Sequence, residues 1–538
     1  MTRLAVINVV GLTERLIGEH TPRIAEYVKR GALARIGPAF PAVTCAAQAN
    51  YLTGKLPSQH GIVGNGWYHR ELAEVQFWKQ SNHLVQSPKI WDELRERFTL
   101  HAPAAPKPPG EGGSRFTVSN LFWWFNMYSS ADYAITPRPI YRADGGKVFD
   151  IYSWPYSLRT EIKRDLGEFP FFGFWGPAAG IKTPQGAADC ATRWIAAAAK
   201  WMEAKYAPTL SLIYLPHLDY NLQRHGIYAA SRAGSPPPAA GRASSPPPVA
   251  DRAGNPLPAA GGASVPASRL VSSLAPPETA RPLNPIIIPD LRAIDAIVGD
   301  LLEFFGRHGV KVVLLSEYGI TNVNQPIHLN RIFRERGWLT VKDELGLEIL
   351  DAGASKVFAV ADHQVAHVYL NDRSLEKPVR ELLEKTPGVE KVLDEAEKAA
   401  AGIAHSRAGD LIAVAGEDAW FTYYYWLEDQ QAPDFARTVD IHRKPGYDPM
   451  ELFLDPKIRL PKLKIGWRLL QKRLGLRMLM DVIPLDATLA KGSHGRRPAD
   501  PKDWPVFITE HSGFSTDSTM ESPEVYQALL KSFQETGE

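Results

Sequence analysis

The sequence predicts an α/β fold: a central, mostly parallel sheet flanked by helices. Three observations point there. Leu4 to Val10 form an apolar run with one polar residue, Asn8, closed by Gly11, as in a strand buried on both faces. Two later stretches, Leu210 to Leu215 and Val310 to Leu315, are short, mainly apolar and followed at once by polar residues. After the first strand, Thr21 as N-cap and Pro22 at the first helical position open a helix to Lys29, so that a strand passes through a glycine turn towards a helix. In open sheets of this kind, sites form beyond the carboxyl ends of the strands. The polar residues after the three strands are therefore the first place to look.

The remaining elements follow in order. Phe40-Pro41-Ala42-Val43-Thr44 reads as a turn, and Cys45 to Leu52 is rich in good helix formers. Phe122 to Tyr128 is an aromatic run that reads as core, the alternative being the wall of a pocket that stacks a flat group. Residues 231–283 are dominated by Pro, Ala, Gly and Ser, with an imperfect ten-residue repeat that starts at Arg232, Arg242 and Arg252. Such a segment buries too little apolar surface to offset the entropy of ordering it, and is expected to be a disordered insertion. From Lys356 to Trp426 the pattern shifts to a small α+β subdomain. Its strands are expected at Val357–Val360, Ala366–Leu370, Leu411–Val414 and Trp420–Trp426, and its helices at Lys377–Lys385 and Asp394–Ala401. The core then comprises 1–230, 284–355 and 427–538.

Charge and composition exclude some classes. With 61 basic and 59 acidic residues the formal net charge is +2, which gives no support for a nucleic-acid or anionic-membrane footprint. No apolar stretch has transmembrane length, no leader pattern is present, and two cysteines imply no disulfide framework. A cytoplasmic location is expected.

The strongest chemical signal begins at Thr44. A hydroxyl at a helix N-terminus sits where free N–H groups and the positive dipole end attract an anionic phosphoryl group. It needs activation, because a free alcohol is a poor nucleophile, and a plain N-cap is the competing role. The helix is followed by Thr53-Gly54-Lys55-Leu56-Pro57-Ser58-Gln59-His60-Gly61-Ile62-Val63-Gly64-Asn65. Further on come Leu212-Ile213-Tyr214-Leu215-Pro216-His217-Leu218-Asp219, with Gln223 and His225 after it, then Leu314-Leu315-Ser316-Glu317-Tyr318-Gly319, and Gly492-Ser493-His494-Gly495. Together these segments resemble the nucleotide pyrophosphatase/phosphodiesterase family of the alkaline phosphatase superfamily, over most of the chain outside the proline-rich insertion.

The resemblance implies an alkaline-phosphatase-like core, a small-molecule phosphoester or pyrophosphate substrate, and a divalent metal site. It makes Thr44 the nucleophile and Asn65 the group that helps hold a phosphoryl oxygen. Asp219 and His494 stand at metal-ligand positions. Gln223 stands where a histidine is expected, Glu317 and Tyr318 where an Asp-His pair is expected, and Val10 where a carboxylate is expected. Valine cannot ligate, and a neutral amide oxygen suits magnesium or calcium better than zinc. Candidate ligands are thus Asp219, His494, Glu317 and Gln223, for one ion rather than two, or for none. Two function classes stay open: a hydrolase with an incomplete metal site, in which Glu317 is a shifted ligand or a base, and a catalytically impaired member acting as a ligand-binding or scaffold protein.

Other residues were weighed as candidates. His217 and His225 lie close enough in sequence to Asp219 to replace lost ligands, or are ordinary loop histidines. His363 and His367 would lie roughly 13 Å apart on one face of a strand, which disfavours a shared metal. Arg407 is expected in a turn salt bridge with Asp410, and Asp440 to Asp448 mixes ligand types with turn formers and has no geometric placement, a border of the cleft being one alternative.

Overall fold

A computed structural model describes residues 2–100, 116–143, 146–180, 190–229, 282–510, 514–515 and 517–534. The expected insertion lies outside the described residues except for Pro282 and Leu283. Thirteen strands and four helices place the site. The strands are β1 (Arg3–Val9), β2 (Ala32–Gly37), β3 (Val118–Leu121), β4 (Tyr133–Pro137), β5 (Ile151–Trp154), β6 (Leu210–Leu215) and β7 (Val310–Leu315), then β8 (Val357–Asp362), β9 (Val365–Leu370), β10 (Val389–Leu393), β11 (Leu411–Ala415), β12 (Val506–Thr509) and β13 (Ser518–Glu521). The helices are α1 (Pro22–Arg30), α2 (Thr44–Thr53), α3 (His217–His225) and α4 (Ile288–Arg307).

Among the described residues, nine strands form the main sheet in the order β13-β2-β12-β7-β1-β6-β3-β4-β5. The central pairs β7-β1-β6-β3-β4 are parallel, and antiparallel pairing is confined to β12 and to the β4–β5 edge. Every residue of β1 after Arg3 is fully buried, which is why it reads as a near-continuous apolar run. The register sets Val9 beside Leu215 and Asn8 beside Leu315, so β1, β6 and β7 end at one level. Gly11, with φ +79°, turns the chain away just beyond β1.

A second sheet, β8-β9-β11-β10, is antiparallel throughout and has its own hydrophobic core. The expected strands and helices fall within two residues of their bounds, with one exception, and the strand β10 was not expected. Of Trp420 to Trp426, strand pairing covers only Ala419–Phe421. The carbonyls of Tyr423, Tyr425 and Trp426 instead accept hydrogen bonds from the side chains of Asn330, Arg334 and Arg331, on the helix Leu329–Glu335. The aromatic run is core packing without a ladder, and apolar content alone does not separate the two. A second correction concerns Thr21. It precedes α1, but its hydroxyl accepts from the Gly18 N–H and donates to the Leu16 carbonyl, so it ties the incoming turn rather than capping the helix. Phe122 to Met127 are buried core, as expected, and Tyr128 is exposed.

Candidate functional site

The ends of β1, β6 and β7 and the start of α2 converge on one buried centre. Thr44 is the first residue of α2 and is 4% exposed. Its hydroxyl lies 3.4 Å from the Tyr318 hydroxyl, which in turn donates to Asp219 Oδ1 at 3.2 Å. Asp219 is not in a loop beyond β6 but in the first turn of α3, and this puts Gln223 one turn along on the same face. The Gln223 amide donates to Asp219 Oδ2 at 2.8 Å, and its carbonyl accepts from the Tyr447 hydroxyl at 2.7 Å.

Glu317 follows β7 and is fully buried. Its Oε1 accepts from Asn8 Nδ2 at 2.5 Å and from Gln48 Nε2, while Oε2 has no partner among the described residues. Burial pushes its carboxyl up to about 8, against hydrogen bonds from Gln48, Asn8 and Thr44 that favour the charged form. Asn65 is equally committed. Its Oδ1 accepts from the Cys45 N–H at 3.1 Å, and its N–H and Nδ2 donate to the two oxygens of Asp362 at 2.7 and 3.0 Å. Burial raises Asp362 to about 7 and Asp219 to about 6, in each case opposed by hydrogen bonds.

A stack of rings completes the centre. Tyr318 lies flat on His494, with ring centroids 3.6 Å apart and planes 7° apart. His363 packs between His494 and Tyr447 at 3.6 and 3.5 Å. Burial drives His494 down to about 3 and His363 well below its ordinary value, so both rings are neutral. His494 Nδ1 faces the Ala42 carbonyl at 2.8 Å, which places the proton there and leaves Nε2 bare.

Residues 4–448 match the type I phosphodiesterase/nucleotide pyrophosphatase family. The chain belongs to this family. That membership makes it a phosphodiesterase/nucleotide pyrophosphatase-type hydrolase by class. No curated protein matches the sequence. Among solved structures, phosphonoacetate hydrolase from Sinorhizobium meliloti 1021, bound to phosphonoformate, is 11% identical with a TM-score of 0.53, and the match covers 99% of this chain and 95% of that one. Murine ectonucleotide pyrophosphatase/phosphodiesterase 5, in an inactive form in complex with AMP, is 12% identical with a TM-score of 0.50, and the match covers 100% and 96%. At such identity these likenesses establish the fold, which is alkaline-phosphatase-like.

Against the family pattern, the residues present do not fit a pair of metal ions. Among the described residues, no three His, Cys, Asp or Glu side chains converge as a metal-ligand group. Val10 is fully buried apolar core. Both oxygens of Asp219 and the carbonyl of Gln223 are taken by hydrogen bonds, and the Tyr318 ring covers His494. The four candidate ligands Asp219, Gln223, Glu317 and His494 therefore share one region without pointing their free lone pairs at one place. The triple variant Val10→Asp, Glu317→Asp, Tyr318→His restores three of the family's side chains, leaves Gln223, and frees Asp219 Oδ1. It is expected to bind zinc measurably where the parent does not, read by calorimetric titration, and no gain would show that the strand ends are misassigned.

The other candidates divide. His217 Nε2 lies 3.0 Å from Asp290 Oδ1, without hydrogen-bond geometry. His225, at the far end of α3, is half-buried. His363 is not on a strand but at the β8–β9 turn, with φ +62°, which turns it towards His494, while His367 bonds Val63 and Gly409. The strand reading missed this turn, whose only local signal is the polar Asp362-His363-Gln364 inside an apolar pattern. Arg407 donates to the Gly61 and Leu84 carbonyls rather than pairing with Asp410, which is held by Arg70 and Arg373. Tyr447, from the segment Asp440 to Asp448, borders the site through Gln223. Asn8 and Gln48 went unread, because a polar residue on a buried strand or helix gives no signal until its partner is known.

Proposed function

We propose that this chain hydrolyses a small phosphoester or pyrophosphate with Thr44 as nucleophile and with Glu317 as its base, in place of the metal that the family pattern would supply. The observation that carries this is the holding of Glu317. Asn8 and Gln48 pin one carboxyl oxygen, the other has no hydrogen-bond partner among the described residues, and Thr44 is among the neighbours that favour the charged form. In this reading Glu317 takes the proton from Thr44 Oγ as the Oγ–P bond forms and the P–O bond to the leaving group breaks. Water then cleaves the phosphothreonine ester, and Thr44 regains its proton. None of the hydrogen bonds described for Thr44, Asn65, Asp219 or Glu317 comes from a lysine or arginine. The AMP complex of the murine relative supports a nucleotide ester as first substrate.

Bis(p-nitrophenyl) phosphate hydrolysis tests the reading. Thr44→Ala is expected to lower turnover by about three orders of magnitude. In the parent, kcat/KM should rise with pH through about 8, where Glu317 is half ionised, and level about one unit higher. Turnover unchanged in Thr44→Ala would overturn it. A second reading has its own observation: both amide atoms of Asn65 are occupied and stacked rings close the centre. This favours an impaired member that binds a ligand without turning it over, and absence of hydrolysis with AMP binding retained would select it. Cys45 is a buried free thiol, and a reducing compartment such as the cytoplasm keeps thiols free.

A further inference from the structure

Between Pro456 and Met480 the chain carries eight Lys and Arg and no Asp or Glu, in a protein whose overall charge is nearly balanced. Helix α5 (Pro461–Arg473) runs through this segment and has no buried residue. Its apolar residues recur at helical spacing: Leu460, Leu463, Trp467, Leu470 and Leu474 form one stripe. A surface helix normally turns such a stripe inward. Here those five side chains are between 45% and 67% exposed. The helix is held instead by its polar side, where Lys464 and Arg468 both pair with Asp481, at 2.9 and 3.0 Å, and Ile465 packs on the second core.

We propose that this helix is a peripheral docking surface for an anionic lipid bilayer. Exposed leucines and a tryptophan on one stripe, flanked by cations, are what the headgroup–acyl boundary accepts: the apolar stripe enters and the basic residues meet lipid phosphates. Lys457, Arg459, Lys462, Lys472, Arg473 and Arg477 are exposed and have no ion-pair partner among the described residues. The charge selects the occupant. Two copies of a surface with eight cations and no anion would repel, which disfavours a symmetric dimer through this helix, whereas an anionic membrane gains from each contact. Among the described residues no helix is long and apolar enough to cross a membrane, so the association is on the surface.

Vesicle flotation with the full chain tests this. The protein should float with vesicles of phosphatidylglycerol and phosphatidylcholine, should stay down with phosphatidylcholine alone, and should be released by high salt. Leu463→Asp with Trp467→Asp removes two exposed side chains, so the melting temperature should hold while flotation is lost. Each of Lys462→Gln, Lys472→Gln and Arg473→Gln should weaken binding about fivefold. No flotation with anionic vesicles, or equal flotation by the double aspartate variant, would overturn the proposal. So would concentration-dependent self-association, in sedimentation, that the same variant abolishes, because a second copy would then be the occupant.

Discussion

Glu317→Gln is expected to abolish phosphodiester hydrolysis and at the same time to stabilise the protein at alkaline pH. The two effects have one cause. Glutamine keeps the Oε1 acceptor for Asn8 and Gln48, so the side chain stays pinned. Its amide then replaces the unpartnered Oε2, and it cannot take a proton. Loss of a positioned general base costs about two to four orders of magnitude in rate. The stability effect follows from linkage. Burial lifts the Glu317 carboxyl from 4.5 to about 8, so the folded state holds its proton more tightly than the unfolded chain. Stability from this group is complete below pH 4.5 and is lost as pH rises through 8. Glutamine has no proton to lose. The advantage of the variant should therefore grow across that window, towards an upper bound of about 4 kcal/mol near pH 8. Asp362 and Asp219, raised to about 7 and about 6, keep a residual slope in both proteins. Urea denaturation at several pH values measures the difference. Parallel stability curves would mean that Glu317 is ionised throughout, which would remove the basis for its acting as a base near pH 8.

How far the site was legible depends on the kind of signal each residue leaves. Thr44, Asn65 and Asp219 were singled out by the motifs that carry the family resemblance, at a helix start, a turn after it and a strand end. The strands β6 and β7 fall on Leu210–Leu215 and Val310–Leu315, as their composition dictated. What stayed hidden was the direction of side chains. Asp219 and Gln223 are four apart, and only their placement on α3 makes them partners. His363 and Tyr447 come from segments 84 residues apart in number, and the β8–β9 turn brings their rings to 3.5 Å. Tyr318 reads as a lost ligand, but its ring lies on His494 and its hydroxyl bonds Asp219, so it engages two residues at ligand positions. A substitution pattern can register a loss, and it does not say what replaced the lost group. The exposed stripe of α5 was missed for a related reason: whole-chain charge averages a local cluster away.

Lys444→Met should destabilise the fold by about 3–5 kcal/mol, the largest loss expected from a single side chain outside the centre. Lys444, Asp448 and Glu451 are each no more than 2% exposed, and the ammonium lies 2.7 Å from Asp448 and 2.8 Å from Glu451. Methionine fills the volume of the stem but removes the cation, leaving two carboxyls buried without it. Glu451 retains the Trp175 and Asp440 N–H donors and Asp448 the Met450 N–H, which moderates the loss without cancelling charge. Two controls separate this from simple repacking. Adding Asp448→Asn and Glu451→Gln neutralises the remaining partners and should recover most of the stability, since a neutral hydrogen-bonded cluster carries no uncompensated charge. Lowering the pH should narrow the gap between Lys444→Met and the parent, because the orphaned carboxyls then take up protons in the folded state. The cluster also reaches the candidate site. It brackets Tyr447, whose N–H donates to the Ala361 carbonyl and whose hydroxyl donates to Gln223. Tyr447→Phe removes that last hydrogen bond alone. If the Lys444 cluster serves the site by holding Tyr447, Lys444→Met with its two neutralising partners should keep the turnover of the parent while Tyr447→Phe lowers it. If turnover falls in the neutralised triple variant and survives in Tyr447→Phe, the charge itself, and not the placement of the ring, is what the site needs.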